Sequence, residues 1–174
     1  MGKIKKYYFE VLDSTNDKAK RFNAKEKDYV IYTNKQLNGR GQYDRKWVSN
    51  TGLTFSIILD EYNELYSKIV PIAILKYFEK KKIKTKIKTP NDIYLNGRKL
   101  GGILIENIFS DNKYIKTIIG IGLNINDDVK IDNSICIGID QDRESIIDDI
   151  YFFIKEVNGF DKEKINEMYD KELI

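Results

Sequence analysis

The sequence predicts an α+β domain, a mixed, largely antiparallel sheet flanked by helices. Two observations carry this. Short β-branched and aromatic segments are joined by tight turns, which makes neighbouring strands antiparallel. Apolar residues at helical spacing fall between and after these segments without a strict strand–helix–strand repeat. The 174 residues fit one domain, 1–174, with no internal repeat, low-complexity segment or linker.

The elements follow in order. KKYYFEVL (5–12) predicts a first strand. Ser14 then starts a helix as its N-cap, with an acid, Asp17, three residues on. YVIYT (29–33) and LTFSIIL (53–59) predict strands, and the polar stretch 34–52 between them predicts a long loop. That loop holds Gly39, Gly41 and Gly52 and the cations Lys35, Arg40, Arg45 and Lys46. Leu65, Ile69, Ile72 and Leu75 place a helix over 65–82. Strands are expected at 92–95, 98–107 and 114–123, a helix over 144–158, and a shorter one near 161–171.

Composition narrows the chemistry. Hydrophobic residues make up 41% and charged residues 33%, and the net charge of +3 is too small to argue for a nucleic-acid partner. There is no histidine and a single cysteine, Cys136. Cys/His zinc sites, histidine-based triads and an internal disulfide are therefore excluded. No secretory signal and no apolar run near the ~20 residues of a membrane helix is present, so the expected setting is cytoplasmic, without a membrane partner.

Three stretches carry candidate chemistry. In KTPNDIYLNGRKLGGILIEN (88–107), Asn96-Gly97 predicts a type I′ hairpin turn. Pairing back from that turn sets Tyr94 against Lys99, Ile93 against Leu100 and Asp92 against Gly101. Ile93, Leu95, Leu100 and Leu104 then share the core face, while Asp92, Tyr94 and Lys99 share the other. Gly101 and Gly102 leave that second face bare. Asp92 and Lys99 are diagonal neighbours there, readable either as a surface ion pair or as two groups facing one ligand. The cationic glycine loop reads as a solvated connection or a binding lid. Its tryptophan, Trp47, would stack on a base or pack under the lid. In IIGIGLNIN (118–126) Gly120 and Gly122 alternate with apolar residues before two asparagines end the strand, which reads as a β-bulge followed by a turn or as part of a site.

Taken together, DSTND (13–17), QLNGRGQYDRKW (36–47), KTPNDIYLNGRKLGGILIE (88–106) and IGIGLNIN (119–126) resemble the biotin protein ligases. That family carries GRGxxGRxW, a Trp-Pro-Asn-Asp turn followed by a lysine at the Asp92–Lys99 spacing, and a closing Gly-x-Asn. The resemblance implies the catalytic-domain fold shared with class II aminoacyl-tRNA synthetases. It also implies a two-step reaction. Biotin and Mg2+-ATP give biotinyl-AMP, and the biotinyl group passes to a lysine of a biotin carboxyl carrier protein. By position it places Ser14, Thr15, Asn16 and Gln36 at biotin, with Arg40, Gly41, Gln42 and Gly102. Lys99 falls at the carboxylate and α-phosphate, with Arg40 and Asp92 completing the catalytic set. Trp47, Asn91 and Asn124 fall at the adenylate. The protein is expected as a monomer or homodimer.

The chain departs from the pattern at Thr89, where the family has tryptophan, at Gln42, where arginine is common, and at Asp44, where glycine is usual. Thr89 is expected to alter the wall of the biotin pocket. No helix-turn-helix pattern precedes the first strand, so DNA binding is not expected, and no small β-barrel is expected after the last helix. Two other readings stay open. One is a lipoate ligase or octanoyl transferase, against which the Pro-Asn-Asp turn and the Gly-Arg-Gly loop argue. The other is a non-catalytic biotin- or adenylate-binding module.

Overall fold

A computed structural model describes residues 3–41, 46–49, 51–126 and 133–174. In chain order the elements are β1 (Lys5–Leu12), α1 (Thr15–Arg21), β2 (Tyr29–Arg40), β3 (Lys46–Ser49), β4 (Leu53–Leu59) and α2 (Tyr66–Lys80). They continue with β5 (Lys86–Lys88), β6 (Asp92–Leu95), β7 (Arg98–Ser110), β8 (Lys113–Leu123), α3 (Arg143–Asn158) and α4 (Lys162–Lys171). The strands form a sheet in the order β1-β2-β4-β8-β7-β6-β5, with β3 added to the far end of β2. The β1–β2 pair is parallel and the other strand pairs are antiparallel, as the mixed, largely antiparallel expectation requires.

The two faces of this sheet are covered unequally. Leu53, Phe55, Ile57 and Leu59 of β4, with Ile119, Ile121 and Leu123 of β8, point to one side. There they meet Ile69, Ile72 and Phe78 of α2, Ile147, Ile150 and Ile154 of α3, and Ile165 of α4. On the other side Ile58 and Ile118 join Tyr29 and Ile31 under Ala19 of α1, a much smaller apolar group. The central strand β4 is buried along its whole length. Its alternate residues Thr54 and Ser56 are nevertheless polar and small. A central strand with that alternation has something other than core on its second face.

Several expectations are corrected. The stretch 34–52 is not simply a loop: β2 runs on to Arg40 and pairs with β3, so Gly39 faces Trp47 across a β-ribbon. A residue-long register shift between Gln36 and Gly39 bends that ribbon. The strand β5, an edge piece beside β6, was too short to show a period. The helix expected over 65–82 is Tyr66–Lys80. No register shift interrupts β8 through Gly120 and Gly122, which overturns the bulge reading there.

The hairpin turn is as expected, with Asn96 at φ 50° and Gly97 at φ 74°. Its register then slips. Tyr94 pairs with Lys99, but Ile93 pairs with Gly101 and Asp92 with Gly102. The extra residue exchanges the faces beyond it, because side chains alternate with a period of two. Leu100 stays in the core, yet Ile103 is the next core residue and Leu104 is not. Leu104 instead lines the cavity described below.

Candidate functional site

On the sparsely covered face, two cross-strand rows of residues make a floor. The first runs Thr33, Thr54, Gly122, Gly102 and Asp92 through β2, β4, β8, β7 and β6. The second runs Ile31, Ser56, Gly120 and Leu104 through β2, β4, β8 and β7. Glycine at 120 and 122 is set by close approach. A Cβ on Gly120 would lie 2.4 Å from Oδ1 of Asn16, and one on Gly122 would lie 2.4 Å from the Trp47 indole. The floor is therefore lowered just where α1 and the ribbon cross it.

The start of α1 forms one wall. Ser14 caps the helix by accepting from the Asp17 N–H, and Ser14, Thr15 and Asn16 are all buried. Gln36 Oε1 accepts from the Thr15 N–H at 2.7 Å and lies 3.2 Å from the Thr15 hydroxyl. The Ser56 hydroxyl lies 2.6 Å from Asn16 Oδ1 and 2.8 Å from Thr15 Oγ1. Asn16 Nδ2 donates to Leu104 O and to Glu106. These groups tie α1, β2, β4 and β7 into one fixed polar unit, and a satisfied unit of this kind is rigid.

Beside it lies a charged cluster. Arg40 grips Asp17 with two bonds, of 2.5 and 3.1 Å, and reaches Glu106 at 3.3 Å. Lys20 holds Glu106 at 2.8 Å and Asp17 at 3.3 Å. Burial works against both carboxylates. Arg40 and Lys20 outweigh it at Asp17, and Lys20, Asn16 and Arg40 outweigh it at Glu106, so each pKa falls below the usual range. At the other end of the floor, Lys99 Nζ pairs with Asp92 at 2.7 Å. The same ammonium sits 5.8 Å from the centre of the Trp47 ring.

Trp47, the sequence's single tryptophan, closes the top by lying over Gly122 and against Gly102. Of the two readings of this residue, the structure has it packed under the ribbon. The space left beneath it is about 50 Å³, well under the roughly 300–1,000 Å³ of ordinary ligand pockets. It is lined by Ser14, Thr15, Asn16, Gln36, Arg40, Gly41, Trp47, Asn91, Lys99 and Gly102 among others. The floor is bare, one end is polar and neutral, and the other end carries an ammonium. That arrangement suits a flat acid whose carboxylate meets Lys99.

The sequence pattern of the Biotin/lipoate A/B protein ligase family matches residues 8–124. The chain belongs to this family. It is 35% identical over 130 residues to the bifunctional ligase/repressor BirA of Bacillus subtilis, a match covering 68% of this chain and 40% of that protein. It is 32% identical over 114 residues to biotin–protein ligase 2 of Arabidopsis thaliana, covering 57% of this chain and 33% of that one. The chain thus spans about 40% or less of the length of these curated relatives. Among solved structures, the biotin protein ligase of Aquifex aeolicus in complex with biotin and ATP superposes with a TM-score of 0.80 at 25% identity. That match covers 98% of this chain and 78% of that one.

Of the residues read as ligase site residues, ten line one cavity, and Asp92 stands behind Lys99 at its edge. Asn124 does not line it. It is buried and donates to Lys99 O at 3.3 Å, bracing the strand that carries the lysine. Asn91 donates to Ile103 O at 2.7 Å and closes the turn. Gln42 and Asp44 lie outside the described residues. Thr89 is exposed and is not part of the cavity wall. Thr54, Ser56, Leu104, Gly120 and Gly122 were missed as lining or floor residues. For Thr54, Ser56, Gly120 and Gly122 the signal was the alternation of small with large residues in LTFSIIL and IIGIGL.

Proposed function

We propose that this chain activates biotin with ATP and passes the biotinyl group to a lysine of a biotin carboxyl carrier protein. The observation that carries this reading is Lys99 paired with Asp92 at one end of a glycine floor, with a neutral polar unit at the other. The biotin ring system lies against Thr15, Gln36 and Ser56, and its acid chain crosses Gly120 and Gly122 to reach Lys99. Trp47 gives way as the ligand enters and then covers it. The polar end favours biotin over a lipoyl or octanoyl chain, whose tail offers no comparable hydrogen-bonding groups.

In the first step the biotin carboxylate attacks the α-phosphorus of ATP and pyrophosphate leaves. Negative charge grows on the non-bridging oxygens, and Lys99 stabilises it without becoming a nucleophile. Arg40, held at the rim by Asp17 and Glu106, offers a planar guanidinium to the same phosphate. Magnesium carried on the phosphates of ATP would need only one or two protein carboxylates and would neutralise phosphate charge. Asp92, paired with Lys99 at 2.7 Å, is the carboxylate that would hold it. In the second step the amine of the carrier lysine attacks the biotinyl carbonyl and AMP leaves. Asp92 accepts the proton the amine must lose. Closure of the ribbon protects the mixed anhydride from water between the steps. No histidine is needed in either step.

Pyrophosphate release measured with ATP and either biotin, lipoate or octanoate tests the reading. Release that requires biotin is expected. Release supported by lipoate or octanoate and not by biotin would refute it.

A further inference from the structure

Thr54 lies in the middle of the central strand β4 and is only 5% exposed. It stands on the cavity face, between Thr33 of β2 and Gly122 of β8. Among the described residues, its hydroxyl and Trp47 Nε1 are the buried side-chain polar atoms around the cavity without a hydrogen-bond partner. The neighbouring polar groups differ in this respect. Thr15, Asn16, Gln36 and Ser56 are bonded to one another or to the chain.

A buried hydroxyl without a partner destabilises the protein that holds it. Valine has the same shape, is at least as good a strand former, and would fill the centre of β4 without that penalty. A threonine here is accounted for by a ligand that supplies the missing partner. Position says which part of the ligand that is. If the acid group meets Lys99 on β7, the row from Gly102 through Gly122 to Thr54 crosses two strand spacings, roughly 10 Å. That is the reach of a short acid chain followed by a ring. Thr54 therefore lies at the head of the ligand.

We propose that Thr54 is a specificity-determining residue whose hydroxyl bonds the cyclic urea of biotin, selecting a polar ring over an aliphatic acyl chain. The proposal rests on the biotin reading above. Neither the glycine floor nor the lysine can make this choice, because every carboxylic acid of suitable length satisfies them; Thr54 adds a free hydroxyl to the polar end, whose other groups already bond one another. A site built around a buried hydrogen bond rejects ligands that leave it unmade.

Thr54→Val and Thr54→Ser in the full chain test it. Biotin and octanoate are titrated separately, read by Trp47 emission and by calorimetry, and Tm is taken without ligand. Thr54→Val is expected to bind biotin about ten-fold more weakly, the effect of one neutral buried hydrogen bond. Its affinity for octanoate should not fall, nor should its ligand-free Tm. Thr54→Ser should keep biotin affinity within a few-fold. The proposal is overturned if Thr54→Val binds biotin as wild type does, or loses both ligands equally. It is also overturned if Thr54→Ser loses as much as Thr54→Val, or if Tm drops in Thr54→Val, which marks the hydroxyl as structural. Wild type that binds octanoate but not biotin overturns the functional reading itself, whereas wild type that binds biotin with an unaffected Thr54→Val overturns only the role of Thr54.

Discussion

Replacing Gly122 by alanine puts a methyl group where the Trp47 indole now lies. The new Cβ would stand 2.4, 2.5 and 2.8 Å from three atoms of the ring, Cε2, Cζ2 and Nε1. Carbon atoms in good contact are roughly 3.5–4.0 Å apart, so the ring must lift by about 1 Å. The backbone below cannot yield, because β8 is paired along both edges, to β4 and to β7. Overpacking of this size costs about 1–3 kcal/mol, which is about 5- to 150-fold against the closed arrangement. Because Trp47 is the sequence's single tryptophan, its emission reports the change directly. Gly122→Ala should shift that emission to the red, lower Tm and weaken biotin binding. Gly138→Ala, whose Cβ would meet only Asn126 at 3.7 Å, should do none of these and serves as the control. An unchanged spectrum and Tm in Gly122→Ala would refute the placement of Trp47 over the sheet.

Lys99→Ala should slow biotin-dependent pyrophosphate release by about 10²–10³-fold, with a smaller loss in biotin affinity; release near the wild-type rate would remove the lysine from the first step. Asp92→Asn should impair transfer to the carrier lysine, with partial recovery as pH rises and the free amine becomes abundant. A pH-independent defect in adenylation alone would remove the proton-accepting role and leave Asp92 only the metal or a structural part. The Asp17 and Glu106 carboxylates have folded pKa values below the ordinary ones, so their stabilising contribution is present above about pH 4 and is lost as pH falls through the depressed values. Acid unfolding of Asp17→Asn and Glu106→Gln should therefore have a shallower pH dependence than wild type, and curves of equal slope would contradict the cluster's role.

Much of this site was legible because its parts are local. Ser14 and Asp17 mark a helix start through neighbours in sequence, and Asn96-Gly97 fixes a turn from two residues, so α1 and the hairpin fall where expected. Three things depended on longer-range pairing. The slip at Leu100 reverses the faces of Ile103 and Leu104, and it is set by how β7 sits between β6 and β8, which no hairpin rule contains. The ribbon β2–β3 read as a loop because glycines and charges lower strand propensity, while pairing overrides it. Glu106 was passed over as the end of a strand, yet β7 carries it back to Lys20 and Arg40. Thr54 was hidden for a related reason. A threonine in a strand is ordinary until its β8 neighbour across the sheet is known to be Gly122 and its hydroxyl is found without a partner.

The proposed activity carries biotin from the free acid to a protein lysine. The most direct measurement is the intact mass of a biotin carboxyl carrier domain incubated with the chain, biotin and ATP. The carrier should gain the mass of one biotinyl group, dependent on ATP and abolished when its acceptor lysine is replaced. A carrier whose mass stays unchanged while the same mixture releases pyrophosphate would limit the chain to adenylation, and no change in either would contradict the account.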